Sequence, residues 1–263
     1  MKIVSWNINS LRARMERAEA FLDRHEPDVL CLQETKVQDA DFPFEPFEKR
    51  GYEVAIHGQK SYNGVAIASR VGLGDPANGF NGDPAADQAR VLSATVGDGD
   101  EALRLWNLYV VNGKAPDHEA FATKQVWLDA LRATVASRHA PDDPVLLVGD
   151  FNITPDDLDV YDPVKLAGAI HCTPEERSWL ARYHDWGLED LHRRFEPDGG
   201  VFTWWDYRFG AFARGRGLRI DLALGTPAVA ARCTGVTVDR DERKQGDFEA
   251  KPSDHAPLLV HLA

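Results

Sequence analysis

Hydrophobic and polar positions along this chain switch repeatedly between a strand-like and a helix-like spacing. Lys2 to Asn7 reads as a strand. From Ser10 to about His25, Leu11, Met15, Ala18 and Leu22 recur at helical intervals with Phe21 beside them, which predicts a helix that Pro27 ends. Asp28 to Leu32 is strand-like again and runs into Gln33-Glu34-Thr35-Lys36. The same order returns later in the chain. Leu103 to Val111 reads as a strand, and Ala120 to about His139 as an amphipathic helix with Val126-Trp127, Ala130-Leu131 and Val135 on one side. Pro141 and Pro144 close it. Val145-Leu146-Leu147-Val148 then forms an uninterrupted apolar run, the mark of a strand buried on both faces. Each half is strand–helix–strand with an acid just past its second strand, Glu34 in one and Asp150 in the other.

The remaining segments fill in around these halves. Tyr52 to Ile56, Gly64 to Ser69 and Val91 to Val96 are strand-like, whereas Gly72 to Asp87 is rich in Gly, Pro, Asn and Asp and is expected to be loop. After Asn152 a long insertion reaches about Trp186. Within it, Thr173-Pro174-Glu175-Glu176 has the capping-box pattern with proline at the first helical position. Arg219 to Leu224 and Ala256 to Leu262 are two further apolar strands. No linker divides the chain, so residues 1–263 are expected to form one α/β domain, two sheets packed face to face with helices outside.

Composition narrows the class. A hydrophobic content of 43% and a charged content of 27% are those of a soluble globular protein, and no stretch is long and apolar enough to span a membrane. The N-terminus lacks the pattern of a signal peptide. Cys31, Cys172 and Cys233 are too widely spaced for a disulfide framework or a zinc cluster, which points to a reducing cytoplasm. A net charge of −12 disfavours a polyanionic partner on average, but binding is decided locally. From Tyr207 to Ile220 there is no acid, while Arg208, Arg214, Arg216 and Arg219 are all present. That run is either a solvated loop or a surface that contacts phosphates, which arginine's planar fork suits.

The candidate chemistry gathers at the strand ends. In an extended segment Asp150 and Asn152 point to the same side, beyond the end of a buried strand, where open α/β sheets bind ligands. Turn bonding is the plain alternative for both. Asp221 stands inside Leu218-Arg219-Ile220-Asp221-Leu222, and an acid in such an apolar run needs a partner. Ser253-Asp254-His255 directly precedes a strand and reads either as a turn or as an imidazole fixed by a carboxylate. Together, Asn7, Glu34, Tyr109, Asn112, Asp150, Asn152, Asp221, Asp254 and His255 make a set of carboxylates, carboxamides and one histidine. That set suits a hard cation such as Mg²⁺ and not zinc, and with a positioned histidine it reads as phosphodiester hydrolysis.

At this point the chain resembles the exonuclease III family of Mg²⁺-dependent DNA-repair nucleases, within the endonuclease/exonuclease/phosphatase superfamily. Seven segments carry the resemblance in family order: Trp6-Asn7-Ile8-Asn9, Leu32-Gln33-Glu34-Thr35-Lys36, Tyr109-Val110-Val111-Asn112-Gly113, Gly149-Asp150-Phe151-Asn152-Ile153, Trp204-Trp205-Asp206-Tyr207-Arg208, Gly217-Leu218-Arg219-Ile220-Asp221 and Ser253-Asp254-His255. Together they span nearly the whole chain. The resemblance implies a four-layered α/β sandwich with two mixed sheets face to face.

It also implies roles. Glu34 would be the principal ligand of Mg²⁺, or of Mn²⁺ in its place, with Asn7 and Asp254 close by or acting through water. Asp150 would orient or deprotonate the attacking water and Asn152 would hold that water or a phosphate oxygen. His255, its ring held by Asp221, would contact the scissile phosphate, as would Tyr109 and Asn112. The general base is either Asp150 or His255. Trp204 and Leu218 match positions lining a pocket for a deoxyribose without its base. Phe209, Phe212, Arg208, Arg214 and Arg216 would lie against the duplex, an aromatic wedging into the stack, with Lys114 as a further DNA contact. Lys36, Lys60 and Arg70 are weaker candidates. His171, in a segment near the sugar pocket, either narrows it and shifts preference between internal abasic sites and 3′ termini, or is a loop histidine at the surface.

The expected partner is double-stranded DNA with abasic sites or damaged or recessed 3′ ends, acted on by a monomer. Expected activities are cleavage 5′ to abasic sites, 3′-exonuclease and 3′-phosphatase or phosphodiesterase. The alternatives are a superfamily phosphatase or phosphodiesterase with a non-DNA substrate, and a scaffold without catalysis; the second would be expected to have lost Glu34, Asp150 or His255, all of which are present.

Overall fold

Ile3 and Val4 point to opposite faces of β1 (Lys2–Asn7) and enter different cores, which sets the layering of the whole molecule. A computed structural model describes residues 1–263. One sheet has the order β11 (Cys233–Val238), β12 (Leu258–Leu262), β1, β2 (Val29–Gln33), β4 (Val65–Ser69), β3 (Glu53–His57). The other has the order β5 (Leu73–Asn78), β6 (Val91–Val96), β7 (Leu103–Tyr109), β8 (Val145–Asp150), β10 (Asp221–Gly225), β9 (Glu189–Asp190). Both are mixed: β1 runs parallel to β2 and β7 parallel to β8, and the other pairings are antiparallel.

The core between the sheets joins Ile3, Val29 and Ile67 of one to Leu105, Leu146 and Val148 of the other. The outer face of the first sheet, with Val4, Trp6 and Leu30, is covered by Phe21 and Leu22 of α1 (Met15–His25) and Phe47 of α2 (Glu45–Glu48). The outer face of the second, with Trp106 and Leu147, packs on Trp127 and Leu131 of α3 (Glu119–Arg138) and on Trp179 and Tyr183 of α4 (Pro174–Trp186). This is the expected four-layered α/β sandwich, and each fully buried Leu, Ile or Val contributes about 1.5–3 kcal/mol to it. No helix is long and apolar enough to cross a membrane.

Several expectations are corrected. Residues 72–87 are not all loop, because Leu73–Asn78 forms β5. Its register shifts between Gly74 and Ala77, around Asp75 at φ 46° and Pro76. Proline lacks a donor, and β5 lies at the sheet edge, where a bulged strand tolerates it. Val126 is exposed; the buried stripe of α3 is Lys124, Trp127, Leu128, Leu131, Thr134 and Val135. The first helix begins with a 3-10 turn at Arg12–Arg14 and is α-helical only from Met15. The strand expected from Arg219 starts at Asp221, because Arg219 and Ile220 bond to Asp159 and Thr203 instead of a neighbouring strand. The edge elements β9 and β11, and the short helices α2 and α5 (Pro227–Arg232), carry no clear period in the sequence. The capping box at Thr173 is present in full.

Candidate active site

The parallel pairs β1/β2 and β7/β8 deliver Asn7, Glu34, Tyr109 and Asp150 to one rim of the sandwich. Asn7 Nδ2 donates to Glu34 Oε1 at 2.9 Å and to Asp150 Oδ2 at 3.0 Å, so one carboxamide joins the acids of the two halves. Below it, Gln33 Nε2 donates to Ser5 Oγ and Asn107 Oδ1, and Asn107 Nδ2 to the carbonyls of Leu32 and Ala66. This buried polar layer fixes the sheet ends relative to each other. Gly149 sits at φ 142°, and a Cβ there would come within 1.9 Å of the Leu108 carbonyl. Only glycine lets β8 approach β7 that closely beside Asp150.

His255 closes the group. Its Nδ1 lies 2.8 Å from Asp221 Oδ2 and its Nε2 3.7 Å from Asp150 Oδ2. Asp221 is itself held by the hydroxyl of Thr203, which accepts from the Asp221 and Ile220 amides. Burial alone would lower the pKa of His255, but Asp221 and Asp150 outweigh it and keep the ring protonated. Burial raises Asp150, with Asp221 and Glu34 pushing in the same direction against His255. The neighbouring carboxylates push both groups up, adding to burial at Asp150 and overcoming it at His255.

The donor set fits a metal ion. Glu34 and Asp150 each offer a carboxylate oxygen, and a ring nitrogen of the protonated His255 lies with them, all within 4.8 Å of one another. The Lys36 ammonium already lies 2.9 Å from Glu34 Oε2, a cation standing at the mouth of the group. A donor set of carboxylate oxygens favours a hard divalent cation. Asp254 stands apart: its Oδ1 accepts from Asn9 Nδ2 at 2.8 Å and its Oδ2 from Trp204 Nε1 at 3.0 Å. Burial would raise its pKa, but His255 and these donors hold it below the usual carboxylate range.

Asn152 is in the left-handed region, φ 53°. Its amide N–H donates to Asp150 Oδ1, its Nδ2 to the Val110 carbonyl, and its Oδ1 accepts from Asn112 Nδ2 at 2.9 Å. Asp150, Asn152 and Asn112 are thus one bonded unit. The Tyr109 ring lies under the Arg90 guanidinium, 4.7 Å from its centroid. Burial, then the charges of Glu34 and Asp150, raise the phenol well above its usual value, so Tyr109 remains a proton donor.

Two cavities flank this cluster. One, about 510 Å³, is walled by Tyr161, Leu166, His171, Trp204, Phe209 and Leu218, with Arg208 and Arg216 also lining it. His171 is buried and not a surface residue: Nδ1–H donates to the Asn152 carbonyl at 2.6 Å, and the ring lies against Trp204. The other cavity, about 500 Å³, is lined by Arg90, Asn112, Lys114 and His118 among others.

The acid-free segment divides by environment. Phe209 is 82% exposed at φ 56°, and Arg214 and Arg216 are exposed. Arg208 is exposed but engages Asp206 through two nitrogens, while Phe212 packs edge-on against Trp205 under Arg240 and Arg243. Arg219, read as a phosphate-contact candidate, is fully buried and bridges Asp159 and Asp190. Arg70 pairs with Asp28. Of the two tryptophans, Trp205 is core and Trp204 lines the cavity.

Sequence reasoning missed Arg90 over the Tyr109 ring, Thr203 behind Asp221, and the buried Lys124. The visible signal for the last was a lysine on the apolar stripe of a helix.

Comparisons with known proteins agree with this geometry. Residues 4–255 match the Endonuclease/Exonuclease/phosphatase family. The chain is 38% identical over 270 residues to exodeoxyribonuclease III of Haemophilus influenzae, covering 100% of both proteins. Among solved structures, the 3′ phosphatase NExo from Neisseria, bound to a product DNA hairpin, superposes with a TM-score of 0.92 at 41% identity, covering 100% of this chain and 99% of that one. An AP endonuclease from Archaeoglobus fulgidus superposes with a TM-score of 0.91 at 34% identity, again covering 100% and 99%.

Proposed function

The chain belongs to the endonuclease/exonuclease/phosphatase family and is a DNA-repair phosphodiester hydrolase of the exodeoxyribonuclease III type, and from that premise we propose that it acts with Mg²⁺ chiefly at 3′ termini of duplex DNA. A non-DNA phosphatase is not favoured by these relatives. The observation that carries the 3′-terminal reading is the cavity lined by Trp204, which bridges to His255, and by the fixed, buried ring of His171 against Trp204. A terminal nucleotide or phosphate has freedom to adjust at such a wall. An internal abasic sugar, tied at both ends, does not.

Glu34 would hold Mg²⁺, or Mn²⁺ in its place, with Asn7 and Asp254 supporting it directly or through water. When bound, the cation would offset charge on the phosphate and on the departing 3′ oxygen. Asp150, fixed by the amide N–H of Asn152 and by Asn7, accepts the proton of the attacking water. His255, kept protonated by Asp221, donates to a non-bridging phosphate oxygen, where Tyr109 and Asn112 also donate. Trp204, Leu218 and Phe209 face the sugar, while Arg214, Arg216, Lys114 and, on release from Asp206, Arg208 meet backbone phosphates; Phe212 supports that loop from beneath. The enzyme would work as a cytoplasmic monomer; its three cysteines are free and buried.

The test is a set of end-labelled duplexes carrying a recessed 3′ end, a 3′-phosphate or one internal abasic-site analogue, each with Mg²⁺ or EDTA. Mg²⁺-dependent processing of both 3′ ends, faster than incision at the abasic site, is expected. Faster incision at the abasic site overturns the terminal preference, and no Mg²⁺-dependent reaction on any duplex overturns the Mg²⁺ assignment.

A further inference from the structure

Lys124 is fully buried within α3, and so is Glu176 in the first turn of α4. The ammonium donates to the Asn152 carbonyl at 2.6 Å, to the Asn112 carbonyl at 3.4 Å and to the Glu176 carboxylate. Its two main-chain acceptors belong to the two residues whose side chains bond each other at the phosphate site. The other oxygen of Glu176 accepts from the Thr173 amide and hydroxyl, so the capping box of α4 locks the anion in place. The Asn152 carbonyl also accepts from His171 Nδ1. One peptide oxygen therefore receives two strong donors, and the residue that carries it is held at φ 53°.

Taking two charges fully out of water is costly, and well-packed apolar residues would serve a core as well or better. A left-handed asparagine is a strained conformation that persists only where its surroundings over-determine it. Both features meet at the Asn152 peptide. Resting on the reading of Asn152 and Asn112 as water- and phosphate-handling groups, we propose that Lys124, neutralised by Glu176, is a positioning residue. It pins the Asn152 and Asn112 carbonyls from behind, and so aims both carboxamides at the scissile phosphate and its attacking water. The Lys124 ammonium bonds only the Asn112 and Asn152 carbonyls and Glu176, and none of Glu34, Asp150 or His255, so it acts only through these two loops.

Removing Lys124 alone strands a buried carboxylate, so the informative variant is K124M/E176M, which deletes both charges, with K124Q/E176Q as a second that keeps a neutral donor. The measurements are melting temperature, kcat and KM on a recessed 3′ end with Mg²⁺, and crystal structures of the variants. In whichever variant folds, a melting temperature within a few degrees of wild type is expected. For K124M/E176M, kcat should fall about 10- to 100-fold with KM held within about threefold, and the Asn152 peptide should leave its left-handed conformation. K124Q/E176Q should recover part of kcat. Wild-type kcat in a folded variant, or an Asn152 unmoved with its bonds to Asn112 and Val110 intact, overturns the proposal. So does a parallel rise in KM. A wild-type enzyme inactive on every duplex would sink the nuclease reading instead, and the Asn152 conformation in the variants would still decide the role of Lys124.

Discussion

Asp221 Oδ2 holds His255 Nδ1 at 2.8 Å, and both side chains are buried. The carboxylate fixes which ring nitrogen faces the site and keeps the ring charged. Asp221→Asn removes the charge and allows the ring to turn. The expected result is a kcat about 10²- to 10⁴-fold lower on recessed 3′ ends, with KM changed by less than about threefold. Steady-state kinetics on the labelled duplex checks it, and a variant within twofold of wild-type kcat would show that His255 needs no orienting partner.

His171 is held by the same carbonyl that anchors Asn152, so its ring has little freedom to swing out of the cavity. His171→Gly relieves a left-handed residue at φ 72° and opens the wall beside Trp204. The ratio of abasic-site incision to 3′-end processing should rise at least about tenfold, the order expected when a pocket contact worth one or two kcal/mol changes. Unchanged relative rates would place the discrimination elsewhere.

Much of this site was legible from the chain. Glu34 and Asp150 stand at equivalent points of two strand–helix–strand halves, and period alone placed both at strand ends. Asp221 drew notice because an acid in an apolar run needs a partner, and His255 is that partner. What period could not give was the environment of side chains. Arg219 and Arg216 sit three residues apart, yet one is a buried ion-pair centre and the other lines a cavity. The difference lies in Asp159 and Asp190, brought in from distant segments. Edge elements such as β5 escaped for a related reason: solvated on one side and bulged at Asp75-Pro76, they need no apolar alternation.

Lys36 Nζ lies 2.9 Å from Glu34 Oε2, so a cation arriving at Glu34 meets a resident positive charge. Lys36→Met removes that competition. Calorimetric titration of DNA-free protein with Mn²⁺ should show tighter binding by about three- to tenfold, and Glu34→Gln should abolish it. Weaker Mn²⁺ binding in Lys36→Met would mean that the lysine supports the ion instead of excluding it.

His192 gives a pH dependence away from the site. It is 1% exposed and neither ring nitrogen has a partner. Burial, then the nearby Arg219, push its pKa down to about 4 from an ordinary 6.5. The folded state thus holds the ring neutral while the unfolded chain protonates it below pH 6.5, so the unfolded state binds more protons and stability falls as pH drops. The contribution is fully present above about pH 6.5 and is lost progressively down to pH 4, a change on the order of 3 kcal/mol. His171, pushed down to about 3 by burial and Lys124, adds a loss of the same sign. Urea unfolding at a series of pH values between 7.5 and 4 should therefore show a steep fall in wild type and a shallower one in His192→Phe. Parallel slopes in the two proteins would mean that His192 reaches solvent and titrates freely in the folded state.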